Sequence, residues 1–231
     1  NPVVVTLVSH YTKYVWQKKN MAALGWESGQ RPFYQDGPYL KLSTWSSWQD
    51  FHTWYSALLD GSVELNDELK KEVDIQTKGL SNRTEIIQAL LDMASKKVRY
   101  TGLEFGISGY KPQHCNKVWK NKYGDCKDKS NLLRAMLAYK KIDSSLCLLN
   151  TNHLGSFDKQ SPSHTQFDHA ILAIKNGKSW IYCDPTVENV KVGILPEGDS
   201  GREVLIVTDE KVIFARTPLQ NPGQVSFDFD V

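Results

Sequence analysis

Apolar residues recur at helical spacing through the first half of the chain and at strand spacing through the second. Trp48, Phe51, Tyr55 and Leu58 keep one face after Ser46-Ser47, which predicts a helix starting there. A second helix is predicted from Asn66, carrying Leu69 and Val73. A third runs over about 83–98, where Ile86, Ile87, Leu90, Leu91 and Ala94 form the apolar stripe. Asn82, followed three residues later by Glu85, has the form of a capping box. A fourth helix opens near Cys126, with Leu132, Leu133, Met136 and Leu137 facing inward. The stretch 101–124 is rich in Gly, Pro and polar residues and is predicted as a loop.

Strand patterns flank these helices. At the start, Val3 to Val8 is β-branched and Tyr11 to Trp16 alternates, before Gly25, Gly29, Pro32, Gly37 and Pro38 punctuate the chain. After residue 145 the strand candidates are Ser145–Asn150, Phe167–Ile174, Ser179–Cys183, Glu203–Thr208 and Lys211–Arg216. Helices first and strands later predict an α+β fold in which N-terminal helices pack on a C-terminal antiparallel sheet. The expected division is a β remnant at 1–43, a main domain at 44–220, and a linker or the start of another β domain at 221–231. The chain opens on Asn1-Pro2-Val3 and stops inside the alternating Val225–Val231, so both ends are expected to be cuts in a longer protein.

Composition narrows the classes. Of 231 residues 40% are hydrophobic and 11% aromatic, enough to bury a core. A net charge of +2, with no basic run interleaved with aromatics, argues against a nucleic-acid partner. No apolar run reaches the roughly 18 residues of a membrane helix, so no membrane insertion is expected. The four cysteines, at 115, 126, 147 and 183, have no CxxC spacing; two disulfides remain open arithmetically. No metal or other cofactor is expected, there being no EF-hand loop or dense carboxylate cluster.

The chemistry concentrates in two segments. In Tyr123-Gly124-Asp125-Cys126-Lys127-Asp128, Gly124 permits a tight turn and Asp125 is a favoured N-cap. Cys126 then lies in the first helical turn, where unpaired amides and the macrodipole favour a thiolate. An inert buried cysteine at a helix start fits the same segment. A solvated first turn accounts for Lys127 and Asp128. In the second segment, Asn176-Gly177 between two apolar runs predicts a two-residue type I′ loop with Lys175 opposite Lys178. Counting back from that loop sets His169 directly opposite Asp184, with Cβ atoms roughly 4.5–5.5 Å apart. An imidazole held by a carboxylate is the orienting half of a nucleophile–base–acid triad. Taken singly, a histidine in a half-buried strand and a strand-ending Asp before Pro185 explain the same residues.

Asp168 and Cys183 alternate to the opposite face from His169 and Asp184. Cys147 reads as a buried core thiol. His114-Cys115 with His153 or His164 would make a metal site only if adjacent side chains converged, and loop histidines are the simpler account.

At these residues the chain resembles the transglutaminase-like superfamily, whose core is shared with papain-type cysteine proteases. Tyr123 to Ser130 is similar to the nucleophile motif, Phe167-Asp168-His169-Ala170 to the histidine motif, and Tyr182-Cys183-Asp184-Pro185-Thr186 to the aspartate motif. Trp45 to Tyr55 and Gly102 to Gln113 resemble a bacterial, often envelope-associated subgroup in which β domains flank the core, so the likeness spans roughly 12–220. The resemblance implies flanking β domains as partners, a periplasmic or extracellular location, and a peptide or protein amide as substrate. It implies acyl transfer through a thioester, with Cys126 as nucleophile, His169 as base and Asp184 as its orienting residue. Hydrolysis is favoured over cross-linking, since nothing marks an amine-acceptor pocket. The Cys126 N–H is the natural oxyanion donor. Gln113 is a weaker candidate, and Trp119 and Tyr123 are candidate cleft residues. The alternative is a non-catalytic module binding a peptide or glycan. A zinc site on Cys126 and His169 ranks last for want of ligands.

Overall fold

The computed structural model describes residues 4–8, 10–23, 25, 27, 28, 37–102, 104–151 and 157–220. The predicted segment 221–231, Val3, and all of 29–36 lie outside them. Contacts divide the chain into Asn1–Leu40 and Lys41–Val231. In the first unit, β1 (Val4–Val8) and β2 (Tyr11–Val15) form an antiparallel hairpin with Val8 opposite Tyr11.

The second unit opens with three capped helices. The Ser47 side chain accepts from the Asp50 N–H (3.1 Å) to start α1 (Trp48–Leu59). Asn66 accepts from the Leu69 N–H (2.9 Å) to start α2 (Asp67–Gln76). Asn82 accepts from the Thr84 N–H to start α3 (Arg83–Lys96). Each cap satisfies an amide the helix cannot. The segment 101–124 is not all loop. It holds a 3₁₀ turn at Gly106–Gly109, α4 (Cys115–Asn121), and β4 (Tyr123–Gly124), which pairs in parallel with β3 (Arg99–Tyr100). Seven residues are too few to display a period, and the cap is His114 instead of a usual N-cap residue, which is why α4 escapes pattern reading.

α5 (Cys126–Tyr139) runs through the middle of the unit. It lies between α3 and α4 on one side and β5 (Ser144–Leu149) and β6 (His169–Asn176) on the other. With β7 (Ser179–Cys183), β8 (Glu203–Val207) and β9 (Val212–Arg216), these strands form one antiparallel sheet ordered β7-β6-β5-β8-β9. Helices followed by an antiparallel sheet is the α+β architecture the pattern predicts. Both sheet faces are apolar. Leu146, Leu148, Ala170, Leu172, Ile174 and Leu205 join the helical core, while Cys147, Leu149, Ile171, Tyr182, Leu195 and Ile206 form a second cluster. Burial on both faces explains why Leu146 to Leu149 reads as a continuous apolar run. α1 seats its aromatic face on the main core: fully buried Phe51 stacks on Tyr55 at 5.8 Å and meets Trp45 and Trp48 edge-on at 5.4 Å. Among the described residues no helix is long and apolar enough to cross a membrane.

Candidate active site

The N-terminus of α5 is fastened before any chemistry is considered. Asp125 accepts from the Asp128 N–H (3.2 Å), and Asp128 reciprocally accepts from the Asp125 N–H (3.3 Å), a complete capping box. Asp128 also accepts from the Gln113 backbone (2.7 Å) and from Gln113 Nε2 (2.9 Å). Lys127 pairs with Asp125, both buried. The first turn is therefore not solvated. Lys127, Asp128, Lys129, Ser130 and Asn131 are all 3% exposed or less, because the N-terminal half of α5 is enclosed. Each of the last three reaches a different neighbour. Lys129 Nζ donates to the Ser95 and Val98 carbonyls at the end of α3 (3.1 and 2.7 Å). Ser130 Oγ donates to the Ala170 carbonyl of β6 (3.0 Å), and Asn131 Nδ2 to Ser62 Oγ (3.0 Å). Burial lowers the Lys129 pKa, against the pull of Glu188 and Asp184. Gly124 is required for space, since a Cβ there would meet the Asp128 Cβ at 2.7 Å.

Cys126 opens this helix, 6% exposed. The other three thiols are also buried, and all four are free, so neither arithmetically open disulfide forms. Burial pushes Cys115 and Cys183 up to about 11 and Cys147 well above the ordinary thiol value, which leaves them protonated and unreactive.

His169 begins β6 and Asp184 follows β7, with Nε2 and Oδ2 3.1 Å apart. Their relation is not the direct cross-strand pairing expected. Asn176 pairs with Ser179, so the loop is Gly177-Lys178 and the register is two residues further along. Gly177 takes φ +61° and Lys178 does not turn positive, the pattern of a type II′ turn and not the I′ turn that Asn-Gly predicts. Because the shift is even, His169 and Asp184 stay on one face as diagonal neighbours, a separation that long side chains bridge. The other Asp184 oxygen accepts from the Thr186 N–H (2.8 Å) and Oγ1 (2.7 Å).

Nε2 faces Asp184, which leaves Nδ1 as the other ring nitrogen, and Cys126 lines the same cleft as the ring. Burial alone would lower the His169 pKa. The hydrogen bonds and charges of Asp184 and Cys126 outweigh it and raise the pKa to about 11. Asp184 is held below the usual carboxylate range: burial opposes this, but the bonds to His169 and Thr186 prevail. The balance favours the imidazolium at neutral pH, with the Asp184 carboxylate against its Nε2.

A second carboxyl, Asp199, stands behind this pair, and nothing in the sequence pattern singles it out. It is 1% exposed, and its Oδ1 lies 4.0 Å from His169 Nε2. His169, Asp184 and Asp199 are the one set among the described residues whose ligating atoms all approach within 4.8 Å. With Nε2 donating its proton to Asp184, the ring has no lone pair there for a cation, and the arrangement is one that holds protons.

A cleft of about 540 Å³ opens over Cys126 and His169, walled by Phe51, Tyr55, Tyr110, Leu148, His164 and Phe167. His164 closes edge-on against Tyr110 (4.4 Å), and burial lowers its pKa. Burial and then the Cys126 charge push the Tyr55 hydroxyl well above the usual phenol range, and the same two causes raise Tyr100 to about 12. Both phenols therefore sit within electrostatic range of the thiol. Of the weaker sequence candidates, Gln113 is bonded to Asp128. Trp119 is buried under Lys122, and Tyr123 pairs with Arg99. None of the three is on the cleft wall. His114 caps α4 through its own side chain, and Asp168 is exposed and bonded to Thr151. His153 lies outside the described residues.

No protein-family profile and no curated protein sequence matches the chain. Among solved structures, it matches a "putative protease" from Parabacteroides distasonis ATCC 8503 with a TM-score of 0.65 at 16% identity, over 95% of this chain and 41% of that one. It also matches a "putative cysteine protease" from Cytophaga hutchinsonii (TM-score 0.43, 17% identity, 76% and 59% covered) and a TGase (0.38, 12%, 62% and 39%). At these identities the likeness is one of fold, an α+β fold shared with the first of these structures. The chain spans less than half the length of the first of these proteins.

Proposed function

We propose that this chain is a cysteine-dependent acyl-transfer enzyme acting on amide or peptide bonds, with Cys126 as nucleophile, His169 as proton carrier and Asp184 as the group that orients the imidazole. The observation that carries this is the His169 imidazole, 3.1 Å from Asp184 and lining one cleft with Cys126 at the start of a helix. A thiol facing an imidazolium at a helix N-terminus favours the thiolate.

The Cys126 thiolate attacks the amide carbonyl carbon. The S–C bond forms and the carbonyl π pair moves to oxygen. The Cys126 N–H, unpaired within the first helical turn, is the oxyanion donor, with Tyr55 on the cleft wall as a second candidate. Converting the thiolate to a neutral thioether removes one of the two charges that keep His169 protonated, so the imidazolium becomes a stronger acid at this step. It gives its Nδ1 proton to the leaving nitrogen as the C–N bond breaks. The neutral imidazole then takes a proton from water, whose oxygen attacks the thioester, and the S–C bond breaks to restore the ion pair. Hydrolysis is preferred over transamidation, and substrates outside the cytoplasm are part of the same proposal, resting on the subgroup resemblance alone.

The test is the rate of iodoacetamide alkylation of Cys126 against pH, for the parent and for His169→Ala and Asp184→Ala. The expected result is alkylation at neutral pH faster than that of a free thiol, slowed when His169 is removed. Alkylation no faster than a free thiol's, unchanged by either substitution, would refute the assignment and leave a peptide- or glycan-binding module as the better account.

A further inference from the structure

Asp199 is a buried acid that the proposed reaction does not use. Its backbone is fixed from both sides: its N–H donates to the Pro196 carbonyl (3.0 Å) and its carbonyl accepts from Thr217 Oγ1 (2.6 Å). The side chain packs on the sheet face that carries Tyr182 and Cys147, the face on which His169 and Asp184 also stand. Its Oδ1, 4.0 Å from His169 Nε2, is too far to hydrogen-bond the ring, and its Oδ2 is buried with no hydrogen-bond partner.

As a carboxylate, Asp199 would leave that oxygen unsatisfied and set a second negative charge beside Asp184, with one imidazolium between them. As a neutral acid it gains a donor, and a carboxylate oxygen of Asp184 lies within 4.8 Å of one of its own. Asp184 already accepts from His169 with one oxygen and from Thr186 with the other, so a third bond, from Asp199, would pin a carboxylate that must hold a ring in one orientation. We propose that Asp199 is a positioning residue: as a neutral acid it shares its proton with Asp184 and so fixes the carboxylate that orients His169. The assignment rests on the reading of Cys126, His169 and Asp184 as the reacting set.

The groups facing Asp199 decide its charge. Burial and Asp184 raise its pKa, while His169 and Arg202 lower it; the balance stands at about 7. Arg202 is itself bonded to the Gly198 and Thr151 carbonyls, and the Cys147 thiol from β5 is kept neutral by burial. Below about pH 7 the shared proton is present. Above it Asp199 ionises, the bond to Asp184 is lost, and a second carboxylate competes for Nε2.

The experiment has two arms on the whole chain. Aspartate 13Cγ resonances are followed by NMR from acid to alkaline pH, in the parent and in Asp199→Asn. The alkylation profile of Cys126 is recorded for both proteins and for His169→Ala. The expected result is one carboxyl titrating near pH 7, absent in Asp199→Asn. The parent alkylation profile then carries a second inflection at the same pH. The variant, whose amide donates at every pH, loses that inflection but keeps its dependence on His169. All aspartates titrating near the ordinary value of about 4, or superimposable alkylation profiles for parent and variant, would overturn the assignment. Alkylation indifferent to His169 would sink the acyl-transfer reading instead, and the carboxyl titration remains readable on its own in that case.

Discussion

Replacing Lys129 by methionine tests whether the polar residues of the α5 motif are internal fasteners. Lys129 is 1% exposed, and its ammonium donates to two backbone carbonyls, those of Ser95 (3.1 Å) and Val98 (2.7 Å), where α3 ends. A hydrogen bond from a charged donor is worth about 1.5–3 kcal/mol net of its exchange with water, so two give roughly 3–6 kcal/mol. Methionine fills a similar volume and returns about 1.5–3 kcal/mol as a buried apolar side chain. The expected loss is therefore about 1.5–3 kcal/mol. Buried ion pairs are often replaced by apolar residues without loss, because both partners can be removed together. Here the acceptors are main-chain carbonyls that stay behind unsatisfied, and the sign of the effect rests on that difference. At about 2–4 °C per kcal/mol for a chain of this size, Tm should fall by roughly 3–12 °C in a thermal melt at neutral pH. The melt is paired with urea unfolding to confirm that the m-value is unchanged. A Tm equal to or above that of the parent would refute the reasoning, and the buried ammonium would then be a burden the fold merely tolerates.

Gly124→Ala should cost about 1–3 kcal/mol, because its Cβ would stand 2.7 Å from the Asp128 Cβ and force the capping box apart; urea unfolding measures it, and slower Cys126 alkylation should accompany it. Phe51→Ala, emptying the centre of the aromatic cluster, should cost about 3–5 kcal/mol by the same method. His169 binds its proton more tightly folded (about 11) than unfolded (about 6.5), so its contribution to stability is complete below about pH 6.5 and lost as pH climbs towards 11. Between those limits stability should decline by up to about 1.4 kcal/mol per pH unit relative to His169→Gln, and parallel curves for the two proteins would count against a protonated imidazole.

Much of this protein is written locally. The stripes at Trp48–Leu58, Leu69–Val73 and Ile86–Ala94 foretell three helices, and the runs after residue 145 foretell all five sheet strands, because amphipathic periodicity and caps are short-range properties. The placing of Cys126 behind an Asp125 N-cap is local in the same sense. So is the shared face of His169 and Asp184, which depends only on the parity of the strand period and survived a two-residue error in register.

Other features have no local signature. Whether Lys127, Asp128 and Lys129 meet water depends on what surrounds α5, and a sequence of alternating charges at a helix start reads as solvated until α3, α4 and the sheet are laid around it. Gln113 is drawn away from the cleft by Asp128, fifteen residues on, a bond that no spacing rule anticipates. Asp199 sits in a Pro-Glu-Gly-Asp turn that looks like any surface loop. Only the return of the chain along β8 and β9 presses that turn against the sheet face of His169, and burial there converts an ordinary acid into one that keeps its proton near neutrality. Periodicity is carried by neighbours a few residues apart, whereas charge state is set by burial, and burial is a property of the whole fold.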